Sequence, residues 1–232
     1  MRNYRSSAGP FSERPYYTAD EVERICVDSL REVGLYPSEP EPIRIDRFIE
    51  KRFKVVPEYE DLGPDVLGMA KFGTNGVQGI VVAKTLDDEN SKANERRIRS
   101  TLAHEGGHGL LHIHLFAFEA DRLLFGENTP SGPVVLCRDI SGSQRSSKYS
   151  GQWWEFQANM AIGSLLMPRA LVTKAIDKYM APSGQLGLQV IDDRYRRVAI
   201  NDLAEIFDVN PVVASIRIDE MFPLNRSGQM VL

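Results

Sequence analysis

The sequence predicts an α+β fold with a small antiparallel sheet and a helical C-terminal part. Two apolar stretches, 66–72 and 77–83, flank the loop Gly73-Thr74-Asn75-Gly76, and an Asn-Gly pair in such a loop favours a β-hairpin. Helices are predicted from about 92 to 114 and over Trp153–Pro168, where apolar residues recur at helical spacing. Short strands that precede long helices are typical of the α+β class.

The N-terminal part divides into a polar segment and a helix. Residues 1–16 are polar and contain glycine and proline, so we expect them to be poorly ordered. Thr18 and Glu21 then have the spacing of a capping box, with apolar residues at helical spacing behind them. This pattern predicts a helix over 19–33, which Gly34 ends.

The next elements lead to the longest predicted helix. A short amphipathic helix is predicted over 43–52 and a strand over 53–56. Residues 88–91 cap the helix that starts near 92. Four cations lie near its start, and we interpret them as a solvated face, with a docking patch for an acidic partner as the alternative. They are Lys92, Arg96, Arg97 and Arg99.

Composition limits the classes of function. The 232 residues are 42% hydrophobic, which is enough for a sizeable core. No run of 18 apolar residues and no charged-then-apolar leader occurs, so we expect a soluble, unexported protein. Cys26 and Cys137 do not make a disulfide framework, which favours a reducing cytoplasm. A net charge of −4 argues against broad binding to nucleic-acid phosphates.

The segment 101–114 contains an H-E-x-x-H pattern formed by His104, Glu105 and His108. On a helix, residues four apart share a face, so both imidazoles can reach one zinc ion. Glu105 lies about 100° round the helix from His104, beside the open position of the metal. A carboxylate there can take a proton from a zinc-activated water.

All four histidines of the chain lie in this segment, and the other two are poor metal ligands. His114 has the metzincin spacing, but Leu111 stands where that pattern needs glycine, and on a continuous helix His114 points about 280° away from His104. His112 continues the stripe of His104 and His108, but its rise of about 12 Å from His104 is too large for sharing one ion. For both we predict packing or a favourable charge near the helix C-terminus.

A third ligand must therefore be a carboxylate or cysteine from another element. Glu155 lies in the first turns of the predicted helix over Trp153–Pro168, whose buried face should pack against the histidine helix. A carboxylate that points into such a contact is costly unless a cation or metal compensates it. Glu155 is therefore the candidate.

These motifs resemble those of the ImmA/IrrE family of zinc metallopeptidases. H-E-x-x-H at 104–108 is followed by E-x-x-A-N at 155–159 and by Leu165-Leu166-Met167-Pro168. The resemblance implies a gluzincin-like domain in which Glu155 is the third zinc ligand. It also implies that the side chain of Asn159 accepts a hydrogen bond from a ligand histidine and orients it.

The resemblance also carries expectations about fold and substrate. In Met160-Ala161-Ile162 the chain departs from the aromatic residue of the family's A-N-x-F-A, a change that we expect to affect only core packing. The small sheet is expected to place an edge strand beside the zinc, where an extended substrate peptide can add to it. Family members cleave a helix-turn-helix transcriptional repressor in stress-response or mobile-element circuits, which implies such a partner here.

A long segment, 116–152, separates the two predicted ligand-bearing helices and is rich in glycine and serine. Loops of this length inside a compact domain are usually functional lids or partly disordered. Within it, Cys137 is predicted to be a plain buried cysteine, with an inhibitory zinc ligand as the alternative. Arg138 and Tyr149 are candidates for contacts with the substrate or the oxyanion, and the sequence does not choose between them.

The C-terminal region resembles a helix-turn-helix. Residues 200–222 predict two short helices around Asp208-Val209-Asn210, with Pro211 at the first position of the second. From 192 to 226 there are five arginines and seven acidic residues, so we predict a packing or partner-docking element instead of a DNA reader. The predicted organisation is a disordered 1–16, a metallopeptidase domain over 17–180 and a small helical region over 181–232.

The predicted function is a zinc metalloendopeptidase in which Glu105 is the general base. The alternative is a non-catalytic, zinc-bound regulator that sequesters a partner protein or senses metal. Glu105 favours chemistry, because a binding module has no use for this carboxylate. A DNA-binding regulator is the third possibility.

Overall fold

The helices and strands form a mixed α+β structure, in a computed structural model that describes residues 2–5, 13–73, 76–88, 91–115, 134–138, 153–183 and 188–223. The described strands are β1 (Arg2–Arg5), β2 (Glu13–Tyr16), β3 (Glu58–Glu60), β4 (Val66–Gly73), β5 (Gly76–Ala83), β6 (Val134–Arg138), β7 (Met180–Ser183) and β8 (Leu188–Ile191). The described helices are α1 (Ala19–Glu32), α2 (Ile45–Phe53), α3 (Thr85–Asp88), α4 (Lys92–Leu111), α5 (Trp153–Leu166), α6 (Arg169–Ile176), α7 (Arg196–Ile206) and α8 (Pro211–Met221).

The largest described sheet has the strand order β3-β5-β4-β6. β4 pairs antiparallel with β5, and Gly73 lies opposite Gly76, so the predicted hairpin is confirmed. β3, however, pairs parallel with β5. The sheet is therefore mixed, and the prediction of a purely antiparallel sheet was wrong, because β3 joins the side of β5 that faces away from β4.

Helix α4 lies against both the sheet and α5, and this contact is the centre of the core. Leu102 and Ala103 of α4 are buried with Phe48 and Ile49 of α2 and with Leu165 of α5. Burial of this apolar face, more than helix propensity, stabilises a helix in a domain. The arrangement holds the histidine-bearing half of α4 inside the protein.

Helix α1 begins as the capping box predicts. The Thr18 hydroxyl accepts a hydrogen bond from the Glu21 backbone N–H, and the Glu21 carboxylate accepts one from the Thr18 backbone N–H. These two bonds satisfy amide groups that a helix start otherwise leaves without a helical partner. Cys26 is fully buried on the apolar face of α1.

Three local expectations differ from the structure. The strand predicted over 53–56 is absent because Lys54 has a left-handed backbone (φ 63°) that ends α2, and β3 starts only at Glu58. Residues 2–5 and 13–16, which we expected to be poorly ordered, form the antiparallel pair β1 and β2. Residues 180–183 and 188–191, at the start of the predicted helical C-terminal region, instead form the paired strands β7 and β8.

The predicted pair of C-terminal helices is confirmed as α7 and α8, with Pro211 in the first turn of α8. Buried residues of both helices, including Leu203, Ala204 and Ile218, belong to the same hydrophobic cluster as α4 and α5. None of the described helices combines the length and the apolar character that a bilayer crossing requires.

The cations at the start of α4 contact acidic groups at the end of α7. The Arg96 guanidinium is 7% exposed and donates to the carboxylates of Asp208 and Glu205, at 2.9 Å each. Arg99 donates to the backbone carbonyl of Asp208 at 3.0 Å, and Lys92 pairs with Glu205. The interpretation of these cations as a solvated face was wrong for Arg96, because its acidic partner is this chain itself.

Arg217 of α8 is a fully buried cation whose loss should destabilise the protein. Its guanidinium contacts the carboxylates of Glu23 and Glu220 and donates to the Met167 carbonyl at 3.0 Å. We expect Arg217→Met to lower the free energy of unfolding by about 3–5 kcal/mol, because Glu23, whose side chain is only 14% exposed, then loses the counter-charge of the buried guanidinium. Urea denaturation of the purified variant measures this loss.

Lys174 provides the control, because it pairs with Glu39 while its side chain is 53% exposed. We expect Lys174→Met to change the free energy of unfolding by less than about 1 kcal/mol, since solvent screens exposed pairs. Equal stability of the two variants would contradict a structural role for the buried arginine.

Candidate metal centre

Helix α4 presents the H-E-x-x-H residues on its buried half. Ser91 caps the helix by accepting from the Asn94 backbone N–H, and the helix then continues to Leu111. His104 is 4% exposed, and Glu105 and His108 are fully buried. The four-residue spacing therefore places both imidazoles in the contact with α5, as predicted.

Glu155 of α5 meets the two histidines. Its Oε2 lies 3.0 Å from His104 Nε2, and its Oε1 lies 3.6 Å from His108 Nε2. The two Nε2 atoms are 3.0 Å apart. Among the described residues these three side chains form a group that could hold a metal, with ligand atoms within 4.8 Å of one another.

These separations fit a single small ion. Two ligand atoms that each lie about 2.05 Å from a tetrahedral zinc are about 3.3 Å apart. The observed distances of 3.0, 3.0 and 3.6 Å bracket this value. Two imidazole nitrogens and one carboxylate also form a ligand set that is common in catalytic zinc sites.

The ionisation states of the group also suit a cation. Burial lowers the pKa of His108, although the hydrogen bond that the protonated ring would donate to Glu155 opposes the shift. Burial acts to raise the pKa of Glu155, but the neighbouring His104 and His108 rings, which can donate to the carboxylate when they are protonated on Nε2, outweigh burial and hold that pKa below its usual value. Neutral imidazole and ionised carboxylate are the forms that bind metal.

Asn159 holds the ring of His104 from the other side. The Asn159 Oδ1 lies 3.1 Å from His104 Nδ1. Because a carbonyl oxygen only accepts, His104 carries its proton on Nδ1, which leaves the Nε2 lone pair directed at the group. The predicted contact between Asn159 and a histidine of the motif is confirmed.

The other two histidines stay outside the group, as predicted for a motif that is not metzincin-like. His112 is fully buried and follows the last residue of α4. Burial holds its pKa well below the ordinary value. Packing is therefore the better of its two predicted roles, since a neutral ring adds no charge at the helix end. His114 is partly buried and is not among the grouped ligands.

Gly107 lets α5 approach α4 closely enough for Glu155 to reach the histidines. A Cβ at Gly107 would lie 2.7 Å from the Ala161 Cβ and 3.2 Å from the Ala158 carbonyl oxygen. The backbone of α5 therefore approaches this side of the motif closely. A Cβ at Gly106 would instead meet the end of the Ile49 side chain at 3.0 Å.

The two glycines provide a matched pair of variants. We expect Gly107→Ala to destabilise the metal-free protein by about 1–3 kcal/mol through overpacking, and to weaken zinc binding because α5 must move. Gly106→Ala should change neither the stability nor the zinc affinity by much, because the Ile49 side chain can shift and alanine favours the helix by up to about 1 kcal/mol. Urea denaturation and zinc competition titrations measure both effects. If Gly107→Ala and Gly106→Ala have the same stability and the same zinc affinity, the close approach of α5 to α4 is unimportant for the site.

Gly68 of β4 is a site residue that the sequence did not reveal. A Cβ there would lie 2.9 Å from Glu105 Oε1 and 2.5 Å from Thr101 Cγ2. The absence of a side chain lets β4 lie directly over the Glu105 carboxylate. No local pattern distinguishes this glycine from others in strands, because the close contact is with a residue 37 positions away.

The strand that lies over Glu105 is not the edge of the described sheet. β4 is not an edge strand, because β6 pairs with it on the outer side, with Cys137 opposite Gly68. In the described sheet the edge on this side is therefore β6. The side chains of Cys137 and Arg138, and all of Tyr149, fall outside the described residues, so their predicted roles stay predictions.

Comparisons with known proteins return no family. No protein-family model matches the sequence, and no curated protein matches it. The support for a metal centre comes from the geometry of its own side chains.

Proposed function

We propose that this chain is a zinc-dependent endopeptidase with a gluzincin-like domain of the ImmA/IrrE type. The observation that carries the proposal is the convergence of His104, His108 and Glu155 at 3.0–3.6 Å, with Glu105 adjacent to His104 on the same helix. His104, His108 and Glu155 would hold the ion. Bound zinc supplies Lewis acidity, which lowers the pKa of a coordinated water and polarises a substrate carbonyl.

Glu105 is the general base in this proposal. Its carboxylate takes the proton of the attacking water and returns it to the amine nitrogen that leaves when the peptide bond breaks. Asn159 keeps His104 in the tautomer that offers Nε2. For the group that stabilises the oxyanion, the candidates are still the two residues predicted from the sequence, Arg138 and Tyr149.

The proposed substrate is a protein segment in extended form. β6, as the outer strand beside β4, offers backbone groups to which a peptide can add as a further strand. Such pairing recognises the main chain and leaves sequence selectivity to a few side-chain pockets. The family resemblance suggests that the segment belongs to a helix-turn-helix repressor, which in turn implies a cytoplasmic location.

Direct DNA binding by α8 is not part of the proposal. Arg217 is the one basic residue of this helix, and it is fully buried among carboxylates. The neighbouring Asp219 and Glu220 are exposed acidic residues of the same helix. A recognition helix needs basic side chains that reach phosphates or base edges, and α8 presents none.

Incubation of the zinc-loaded protein with candidate repressors tests the proposal. We expect cleavage at one peptide bond, seen by intact-mass spectrometry, and loss of cleavage on chelation. Tight binding of a repressor without cleavage, by a protein that contains stoichiometric zinc, would overturn the peptidase and leave the zinc-bound regulator.

A further inference from the structure

A chain of hydrogen bonds runs from the N-terminal hairpin to His108. The Gln157 Nε2 donates to the Pro15 backbone carbonyl at 2.7 Å. The Gln157 Oε1 lies 2.9 Å from His112 Nε2, and His112 Nδ1 lies 3.0 Å from His108 Nδ1. Gln157 and His112 are 3% and 0% exposed, so this chain lies inside the protein.

The direction of each bond follows from the previous one. A backbone carbonyl only accepts, so the Gln157 amide must turn its NH₂ to Pro15 and its oxygen to His112. That oxygen also only accepts, so His112 carries its proton on Nε2. A neutral imidazole has a single N–H, and full burial favours the neutral ring.

The position of the proton on His112 also determines which nitrogen of His108 can bind a metal. With its proton on Nε2, His112 offers the Nδ1 lone pair, and His108 must donate its Nδ1 proton to it. His108 then has its Nε2 lone pair free of a proton, and this atom lies 3.6 Å from Glu155 Oε1 and 3.0 Å from His104 Nε2. The opposite tautomer would place a proton where a metal must bind.

We propose that Gln157 and His112 are positioning residues that fix the tautomer and ring orientation of His108 for metal binding, with the Pro15 carbonyl as the anchor of the chain. The proposal rests on the metal site of the proposed function, but not on peptidase activity. It also gives the N-terminal strand β2 a part in the metal centre. The ring of His112 is further held by edge contact with Trp153, at 5.6 Å between centroids.

The first test uses the unaltered, metal-free protein. Long-range ¹H–¹⁵N correlation spectra report the tautomer of each imidazole, and the chain has four histidines to assign. At pH 8 we expect His104 and His108 to carry the proton on Nδ1, and His112 to carry it on Nε2. A proton on Nε2 of His108 in the wild-type protein would overturn the proposal, whether or not the zinc-loaded protein cleaves a peptide.

The second test measures zinc affinity by competition with a chelator. His112→Phe keeps an aromatic ring at this position but removes the nitrogen that accepts from His108. Gln157→Leu removes the oxygen that accepts from His112. We expect each to weaken zinc binding by about 10–100-fold, the range typical of groups that orient metal ligands. Spectra of metal-free Gln157→Leu should show His112 with its proton on Nδ1.

Gln157→Glu is the rescue variant, since burial favours the protonated carboxyl, whose O–H can donate to the Pro15 carbonyl while its other oxygen accepts from His112 Nε2. We expect its zinc affinity to stay within about threefold of wild type, well inside the loss expected for Gln157→Leu. Ser164→Ala, which removes another buried polar group of α5, should leave zinc affinity unchanged. Wild-type affinity in both His112→Phe and Gln157→Leu would overturn the proposal.

Discussion

Glu105→Gln is expected to abolish most peptide cleavage while the protein keeps its zinc. The amide has nearly the same shape as the carboxylate but cannot take a proton from water, and loss of a general base costs about 10²–10⁴-fold in rate. Zinc should remain because Glu105 is not one of the three grouped ligands. Cleavage rates with a susceptible repressor, beside metal analysis of the same sample, measure both properties.

Glu95→Gln is the control for this variant, because Glu95 is an exposed carboxylate in the first turn of the same helix. Its cleavage rate should equal that of wild type. If Glu105→Gln cleaves within a few-fold of wild type, or keeps the full biological effect without cleavage, the general-base role is wrong. The second outcome would favour the regulator that works by binding.

Glu155→Ala should remove zinc from the protein under conditions in which the wild type is saturated. The carboxylate supplies one of three ligands and the negative charge of the group, so the loss should exceed the about 10–100-fold typical of residues that only orient ligands. Metal analysis after dialysis and competition titrations give the two affinities. Cleavage should fall in parallel and return only in part at high zinc concentration.

Phe156→Leu is the matched control on α5, since Phe156 is the next residue and its side chain is 40% exposed. Its zinc affinity should not change. Wild-type zinc affinity in Glu155→Ala would mean that the convergence of Glu155 with His104 and His108 does not reflect metal binding, and the proposed enzyme would lose its basis.

Much of the metal centre could be predicted because it is local. His104 and His108 share a face on any α-helix, and so do Glu155 and Asn159. The capping box at Thr18 is local in the same way. The pairing of the two helices was also predictable, because each has a buried face and Gly107 allows close approach.

Other features depend on contacts between distant parts of the chain. His112 can either only pack in the core or also accept a hydrogen bond from His108. Which of these applies depends on Gln157, a residue of another helix. The role of Gln157 depends in turn on Pro15, in a segment whose composition suggested disorder. In the sequence, Arg96 has the pattern of a surface cation. In the folded protein, the end of α7 packs against Arg96 and buries it.

The sequence by itself determined which residues are the candidates for metal binding and catalysis: two imidazoles one helical turn apart, a carboxylate between them in sequence, and a second carboxylate at the start of an apolar helix. The tertiary structure alone decided that β6 covers β4, that β3 runs parallel to β5, and which groups complete the hydrogen bonds of the histidines. The physical reason is that helix periodicity is set within a few residues. Strand order and buried polar contacts depend instead on which distant surfaces pack together to bury apolar area and satisfy donors and acceptors.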